Sequence, residues 1–108
     1  MKDREREYIL QVPAEPNRLR EVLAFVLERA QAMGLPEEQS GRIVLAAEEL
    51  AVNIIDYAYP GGGGSLEIRC SEKSLDRRKY FCLQLRDRGI PFDPSAAPEP
   101  DTRAPARE

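Results

Sequence analysis

The spacing of apolar residues changes along the chain from every second position to every third or fourth, and then back again. Large apolar side chains alternate with polar ones over residues 8–12, which predicts a short strand that Pro13 closes. Apolar residues then recur at helical spacing over about residues 16–33, where we predict a helix that Gly34 ends. The first part of the chain therefore predicts one strand followed by one helix.

A second helical pattern begins at Pro36 and carries an acid and an amide beside its apolar stripe. Glu49 and Asn53 are four residues apart, so in a helix their side chains lie one above the other on a single face. Glu48 points about 100° away, so of the two acids only Glu49 can act together with Asn53. The apolar stripe of this helix is predicted to consist of Ile43, Ala46, Ala47, Leu50, Ile54 and Ala58.

Two further strands are predicted after the second helix. A flexible loop rich in proline and glycine should end the helix at residues 60–64, and apolar residues alternate again over residues 65–70. We predict a charged turn over residues 71–79 and a third strand over residues 81–85. Cys82 is out of phase with the apolar residues of that strand and is expected on the opposite face.

The predicted order is strand, helix, helix, strand, strand. The last two strands are close enough in sequence to form a hairpin, so we predict an α+β fold, a two-layer sandwich with the helices on one face of an antiparallel (mixed) sheet. We expect residues 1–94 to form this domain. Residues 95–108 contain three prolines and no apolar side chain larger than alanine, and we expect a mobile tail there.

Charge and hydropathy exclude several classes of function. The net charge of −3 shows no basic excess, which argues against nucleic-acid binding. Residues 1–7 are mostly charged where a signal peptide needs an apolar stretch, and no segment approaches the roughly 18 apolar residues that span a bilayer. We therefore expect a cytoplasmic protein with no membrane partner.

The chain has two cysteines and no histidine, which limits its metal and catalytic chemistry. Cys70 and Cys82 have neither the spacing nor the histidine partners of a zinc site, and we expect reduced thiols rather than a disulfide. The lack of histidine excludes every mechanism that needs an imidazole base.

Two short motifs offer candidate chemistry, and each has a plain structural alternative. Glu49 and Asn53 together could hold a hydrated divalent cation or take a proton, but such pairs are also common on solvated helices. In Asp87-Arg88-Gly89, the glycine would let the backbone approach a ligand, and the acid could accept a hydrogen bond from the exocyclic amine of a purine. The same triplet is also an ordinary turn sequence.

The succession of these motifs resembles a known protein family. The order is Glu-x-x-x-Asn, Tyr-Ala-Tyr-Pro, a glycine-rich loop, a hairpin, and Asp-x-Gly-x-Pro-Phe-Asp-Pro. Over residues 5–104 it resembles the anti-sigma-factor serine/threonine kinases, which belong to the ATPase superfamily of gyrase, histidine kinases and the mismatch-repair ATPases. The most specific parts of the resemblance are residues 47–60 and 85–94.

The resemblance implies ATP and Mg²⁺ as cofactors and a role for each candidate residue. Glu49 matches the general base that deprotonates a serine or threonine of a substrate protein, and Asn53 matches the ligand of the magnesium ion that bridges the ATP phosphates. Asp87 matches the acid that binds the adenine amino group, and Gly89 matches the glycine beneath the base. Phe92 is expected against the pocket wall, as a core residue or as a ligand contact.

The resemblance also implies partners and leaves other functions open. In the family, the phosphoryl group goes from ATP to an anti-anti-sigma protein, and this changes which partner the kinase holds, a sigma factor included. One alternative is a non-catalytic interaction module that holds a sigma factor or an antagonist without turning over ATP. Another is an ATPase domain that serves a different output, such as a detached sensor-kinase module.

One departure from the family pattern concerns the phosphate half of the pocket. Relatives continue past a proline-rich lid, similar to residues 93–108, into a Gly-Gly-x-Gly segment whose backbone N–H groups bind phosphates. The sequence stops before such a segment, so we expect a partial, C-terminally truncated domain that is inactive alone, either a fragment or a protein that has lost the activity. A bare helix face and a bare strand edge would then favour either self-association, as in a homodimer, or disorder.

Overall fold

The computed structural model describes residues 4–89, in which two helices pack on one face of a three-stranded antiparallel sheet. The elements are β1 (Arg4–Pro13), α1 (Leu19–Met33), α2 (Glu37–Asn53), β2 (Ser65–Leu75) and β3 (Arg78–Asp87), with a 3-10 turn at Pro16–Arg18 and a π-helical turn at Ile54–Ala58. The predicted α+β class, with helices on one face of an antiparallel sheet, is confirmed. Phe92 and the predicted tail at residues 95–108 lie outside the described residues.

The sheet order is β1-β2-β3, with both neighbouring pairs antiparallel. Leu10 pairs with Ile68, which pairs with Leu85, so these three side chains line one face of the sheet. The helices cover this face, with α1 over β1 and β2 and α2 over β3. The alternation in the sequence therefore identified the inward face correctly.

The core lies between the helices and the inward face of the sheet. Val22 and Val26 of α1, Ile54 after α2, and Leu66 and Ile68 of β2 are at most 1% exposed. Each side chain of this kind contributes roughly 1.5 to 3 kcal/mol through burial. The four last members of the apolar stripe predicted for the second helix are buried as expected, namely Ala47, Leu50, Ile54 and Ala58.

The ends of α1 agree with the sequence to within one turn. Residues 16–18, predicted as helix, form a 3-10 turn, and α1 proper begins at Leu19. Gly34 ends the helix in the left-handed region at φ 90°, where its N–H donates to the carbonyl of Gln31 at 2.9 Å. Glycine adopts this conformation without steric cost, which explains the stop.

The prediction of a charged turn over residues 71–79 is wrong. β2 runs to Leu75 and β3 starts at Arg78, so only Asp76 and Arg77 form the turn, at φ 53° and 69°. A two-residue turn with both φ values positive matches the twist of the flanking strands and lets the hairpin continue. β1 pairs along this extension, and it therefore begins at Arg4 rather than near Tyr8.

The two cysteines are free thiols on opposite faces of the sheet. Cys70 is fully buried in the core, and burial raises the pKa of its thiol to about 11. Cys82 is exposed on the face away from the helices, as its phase in the sequence predicted. Within residues 4–89, none of the helices is both long enough and apolar enough to span a bilayer.

Candidate functional site

Glu49 and Asn53 lie at the C-terminal end of α2, at the border of the core. Both are half-buried, next to the buried side chains of Leu50 and Ile54. Their four-residue spacing in a continuous α-helix places them on one face, as predicted. Glu48 is half-buried as well. Burial therefore does not separate the two acids, and the helical geometry remains the reason for choosing Glu49.

The helix that carries this pair changes form immediately after Asn53. The apolar stripe predicts continuous α-helix up to residue 58, whereas Ile54–Ala58 is a π-helical turn. Single π turns are rare, and they are frequent at functional sites. This turn buries Ala58 beside the end of β3.

Asp87 and Gly89 form a tight turn at the end of β3. Asp87 is the last residue of the strand, and its Oδ1 accepts a hydrogen bond from the Gly89 N–H at 3.0 Å. The N–H of Arg88, between them, donates to the hydroxyl of Tyr59 at 2.7 Å. Both the carboxylate and the backbone of this turn are thus held in place by hydrogen bonds.

Gly89 packs directly against the π-helical turn. A side-chain carbon built on Gly89 would overlap the carbonyl group of Ala58, so only glycine fits at this position. Ala58 follows Asn53 by five residues on the same helical segment. The contact therefore joins the two motifs, Glu49 with Asn53 and Asp87 with Gly89, which are far apart in sequence.

The glycine-rich loop closes around Tyr59. The Tyr59 hydroxyl donates to the carbonyl of Ser65 at 2.7 Å, and a side-chain carbon on Gly64 would enter the Tyr59 ring. The Tyr59 carbonyl accepts a hydrogen bond from the Gly62 N–H at 2.8 Å, and the Gly64 carbonyl accepts one from Ala14 at 2.9 Å. The predicted loop is present, and these contacts fold it onto the aromatic ring.

Two cavities lie near the start of β2, and neither of the two is lined by Glu49 or Asn53. One of about 510 Å³ lies between Tyr59, Gly64 and the end of β1, and a smaller one of about 220 Å³ is lined by Asp87 and its neighbours. The residues shared by the two cavities are Gln11, Ser65 and Arg88. The turn at Asp87 is therefore accessible from solvent.

Charged side chains form a network on the helix-free face of the sheet. The Arg69 guanidinium contacts Glu67 directly and Glu7 at 3.2 Å. The hydrogen bond from Arg69 lowers the pKa of Glu67, and the charges of Arg86 and Arg88 act in the same direction. This network keeps Glu67 ionised close to the Asp87 turn.

The candidate metal-binding groups are oxygen donors. The amide oxygen of Asn53 is a ligand that hard cations such as Mg²⁺ accept, and the Glu49 carboxylate lies one turn earlier on the same face of α2. Within residues 4–89, no group of three or more aspartate, glutamate, cysteine or histidine side chains forms a metal-binding cluster. The residues present fit an ion that takes its remaining ligands from phosphate oxygens and water.

The sequence motifs assign no role to Tyr59 or Gly64. Their contacts depend on how the loop folds back on the helix, which no short-range pattern predicts. The available signal was a tyrosine immediately before Pro60 and a glycine run.

Comparison with known families identifies the domain family of the chain. A model of the histidine kinase-like ATPase domain matches residues 12–108, which include Glu49, Asn53, Asp87, Gly89 and Phe92. The match extends over most of the 108 residues, and the chain belongs to the histidine kinase-like ATPase domain family. Among proteins of curated function, none shows significant similarity to the chain.

Proposed function

We propose that the chain binds ATP with Mg²⁺ and that it acts as an anti-sigma regulatory factor with serine/threonine kinase activity. Membership of the ATPase domain family supports ATP binding. The observation that carries the proposal is the contact of Gly89 with Ala58, because it brings the Asp87 turn to the helix that bears Asn53. A ligand bound at this turn can therefore extend toward the Asn53 side chain.

The Asp87 turn has the chemistry of an adenine pocket. Its carboxylate accepts the Gly89 N–H through Oδ1, which holds the acid in a fixed orientation. A fixed carboxylate accepts a hydrogen bond from the adenine amino group, whereas the carbonyl oxygen of guanine at the same position would be repelled. Gly89 has no side chain, so the plane of the base can approach the backbone.

The helix supplies the phosphate and metal side of the site. Asn53 would hold the magnesium ion through its amide oxygen, and Glu49 lies one turn earlier on the same face. When bound, magnesium neutralises charge on the phosphates of ATP. Glu49 is then placed to take a proton at the edge of the site.

In the proposed transfer, the Glu49 carboxylate accepts the proton of a serine or threonine hydroxyl on an anti-anti-sigma protein. The hydroxyl oxygen forms a bond to the γ-phosphorus while the bond from that phosphorus to the β,γ-bridging oxygen breaks, and ADP leaves. The resemblance of the motifs to anti-sigma-factor kinases supports this partner class. A sigma factor is the second partner that such a switch would hold.

Nucleotide titration and a transfer assay test the proposal. The protein, with any flanking sequence that its gene encodes, is titrated with ATP and Mg²⁺, and we expect Asp87→Asn to weaken binding by about tenfold or more. Glu49→Ala should leave ATP binding intact and abolish phosphate transfer. Glu48→Ala is the matched control, with binding and transfer retained.

Two outcomes would count against the proposal in different ways. Unchanged ATP binding after Asp87→Asn would overturn the assignment of the adenine pocket. Tight ATP binding without transfer to a candidate anti-anti-sigma protein would favour the non-catalytic interaction module that the sequence left open.

A further inference from the structure

The Tyr59 hydroxyl makes two hydrogen bonds of opposite kinds at the base of the candidate site. It donates to the Ser65 carbonyl and accepts from the Arg88 N–H, both at 2.7 Å. One hydroxyl can do both, because it has one proton and two lone pairs. Tyr59 therefore joins the start of β2 to the turn after β3, where Arg88 is 29 residues away from Tyr59 in sequence.

The position of this hydroxyl is fixed by the loop around the ring. Gly64 lies so close to the ring face that no side chain fits between them, and the Gly62 N–H holds the Tyr59 carbonyl at 2.8 Å. The ring cannot swing outward without breaking both hydroxyl bonds. Tyr59 is thus a rigid support between the π-helical turn and the sheet.

The residue that Tyr59 holds lies between the two residues proposed to contact the base. Arg88 separates Asp87 from Gly89, and fixing its N–H restricts the backbone dihedrals on both sides. The Oδ1 of Asp87 is in turn bound to the Gly89 N–H. The orientation of the Asp87 carboxylate therefore depends on the hydroxyl of Tyr59.

We propose that Tyr59 is a positioning residue that sets selectivity for the 6-amino group of the purine by fixing the Asp87-Arg88-Gly89 turn. The inference rests on the proposed function, because it takes Asp87 as the residue that contacts the base. Loss of the Tyr59 hydroxyl should affect selectivity for the base more than overall stability, because the hydrogen bond to Arg88 is exposed and water can replace the hydroxyl there. A change in selectivity for the base would distinguish a positioning role from a purely structural one, because a purely structural role would lower the affinity for all bases equally.

The test uses Tyr59→Phe, which removes the hydroxyl and keeps the ring against Gly64. ATP and inosine triphosphate, which carries a 6-oxo group in place of the amine, are titrated into both proteins. We expect the ratio of the two affinities to fall by about five- to tenfold, chiefly through weaker ATP binding, as expected when a charged hydrogen bond loses its geometry. The ratio does not depend on the fraction of protein that is folded.

The matched control is Tyr80→Phe, the same change at a tyrosine of β3 that is 44% exposed. It should leave the ratio at the wild-type value. An unchanged ratio in Tyr59→Phe, or an equal loss of affinity for both nucleotides, would overturn the positioning role.

Failure of the inference and failure of the proposed function give different results. If the wild type does not bind ATP, or if Asp87→Asn binds it equally well, the proposed adenine pocket is wrong. If Asp87→Asn loses selectivity and Tyr59→Phe keeps it, the pocket stands and only the role of Tyr59 is wrong.

Discussion

The two ends of the β2–β3 hairpin belong to the same sheet but differ in what surrounds them. At the site end, Asp87 pairs with Leu66, and the chain that follows is held by Tyr59 and by the contact of Gly89 with Ala58. At the tip, Leu75 pairs with Arg78 across the turn, and Leu75 is 44% exposed. One end is packed against a helix, and the other projects into solvent.

This difference shows what each end demands of its residues. Gly64 and Gly89 are needed because neighbouring atoms occupy the space of a side chain, although neither has a positive φ. At the tip, Asp76 and Arg77 adopt positive φ values with full side chains. The site end is therefore restricted by close contacts, whereas the tip is restricted by backbone conformation alone.

The largest expected effect comes from Gly89→Ala, because the new side chain would meet backbone rather than a movable side chain. The strand end must shift away from Ala58, which we expect to cost about 2 to 3 kcal/mol of folding stability. ATP affinity should fall by more than about tenfold, since Asp87 moves with the turn. Thermal unfolding and nucleotide titration measure the two effects.

Gly41→Ala is the control for that substitution. Gly41 lies in α2 with no atom within 4 Å of a built side-chain carbon. Alanine there should raise stability by about 1 kcal/mol through helix propensity. A neutral result at Gly89 would show that its contact with Ala58 does not restrict the site end.

A smaller loss is expected for Gly64→Ala, because the tyrosine ring that blocks the space can rotate away. The rotation would break both hydrogen bonds of the Tyr59 hydroxyl, at a cost of about 1 to 2 kcal/mol. Gly61→Ala, in the same loop but in open space, should be nearly neutral. Equal unfolding temperatures for the two variants would contradict the role given to the ring.

At the tip, the expected change has the opposite sign. The left-handed conformation costs a residue other than glycine about 1 to 2 kcal/mol, and Arg77→Gly relieves this cost. The greater freedom of glycine in the unfolded chain offsets about 0.5 to 1 kcal/mol of the gain. We expect a net gain of about 0.5 kcal/mol and unchanged ATP binding. Arg78→Gly removes the same side chain from a strand position and should destabilise the protein, as denaturant titration would show.

The predictable part of the fold is the part controlled by short-range spacing. The alternation over residues 65–70 and the helical stripe through Leu50 and Ile54 each identified the buried face, since apolar periodicity follows the geometry of the element. Gly34 marked a helix end because its backbone conformation requires glycine. These features depend on neighbours within a few residues.

The features that sequence reasoning missed depend on contacts between distant segments. The turn at Asp76 and Arg77 contains no glycine, the residue that most often marks positive φ values, and the charged residues around it favoured a loop. The π-helical turn ends at Ala58, which contacts Gly89 from the far end of β3, and no periodicity encodes this contact. The candidate residues come from motif order and stay predictions, whereas no motif pointed to the hydrogen bonds of Tyr59.

The smallest expected effect is electrostatic and lies on the outer face beside the site end. Glu67→Gln removes the carboxylate that pairs with Arg69. Because both side chains are partly exposed, we expect only a slight fall in melting temperature at neutral pH. Arg69 lowers the pKa of Glu67 below its ordinary value of 4.5, so the ionised form stabilises the fold above pH 4.5. This contribution is lost as the pH falls through the lowered pKa, and the difference between wild type and variant should then disappear. Glu38→Gln, in an exposed pair with Arg42, should lose only the weak attraction of its charge to the N-terminus of α2. A difference between wild type and Glu67→Gln that persists in acid would contradict the ion-pair origin.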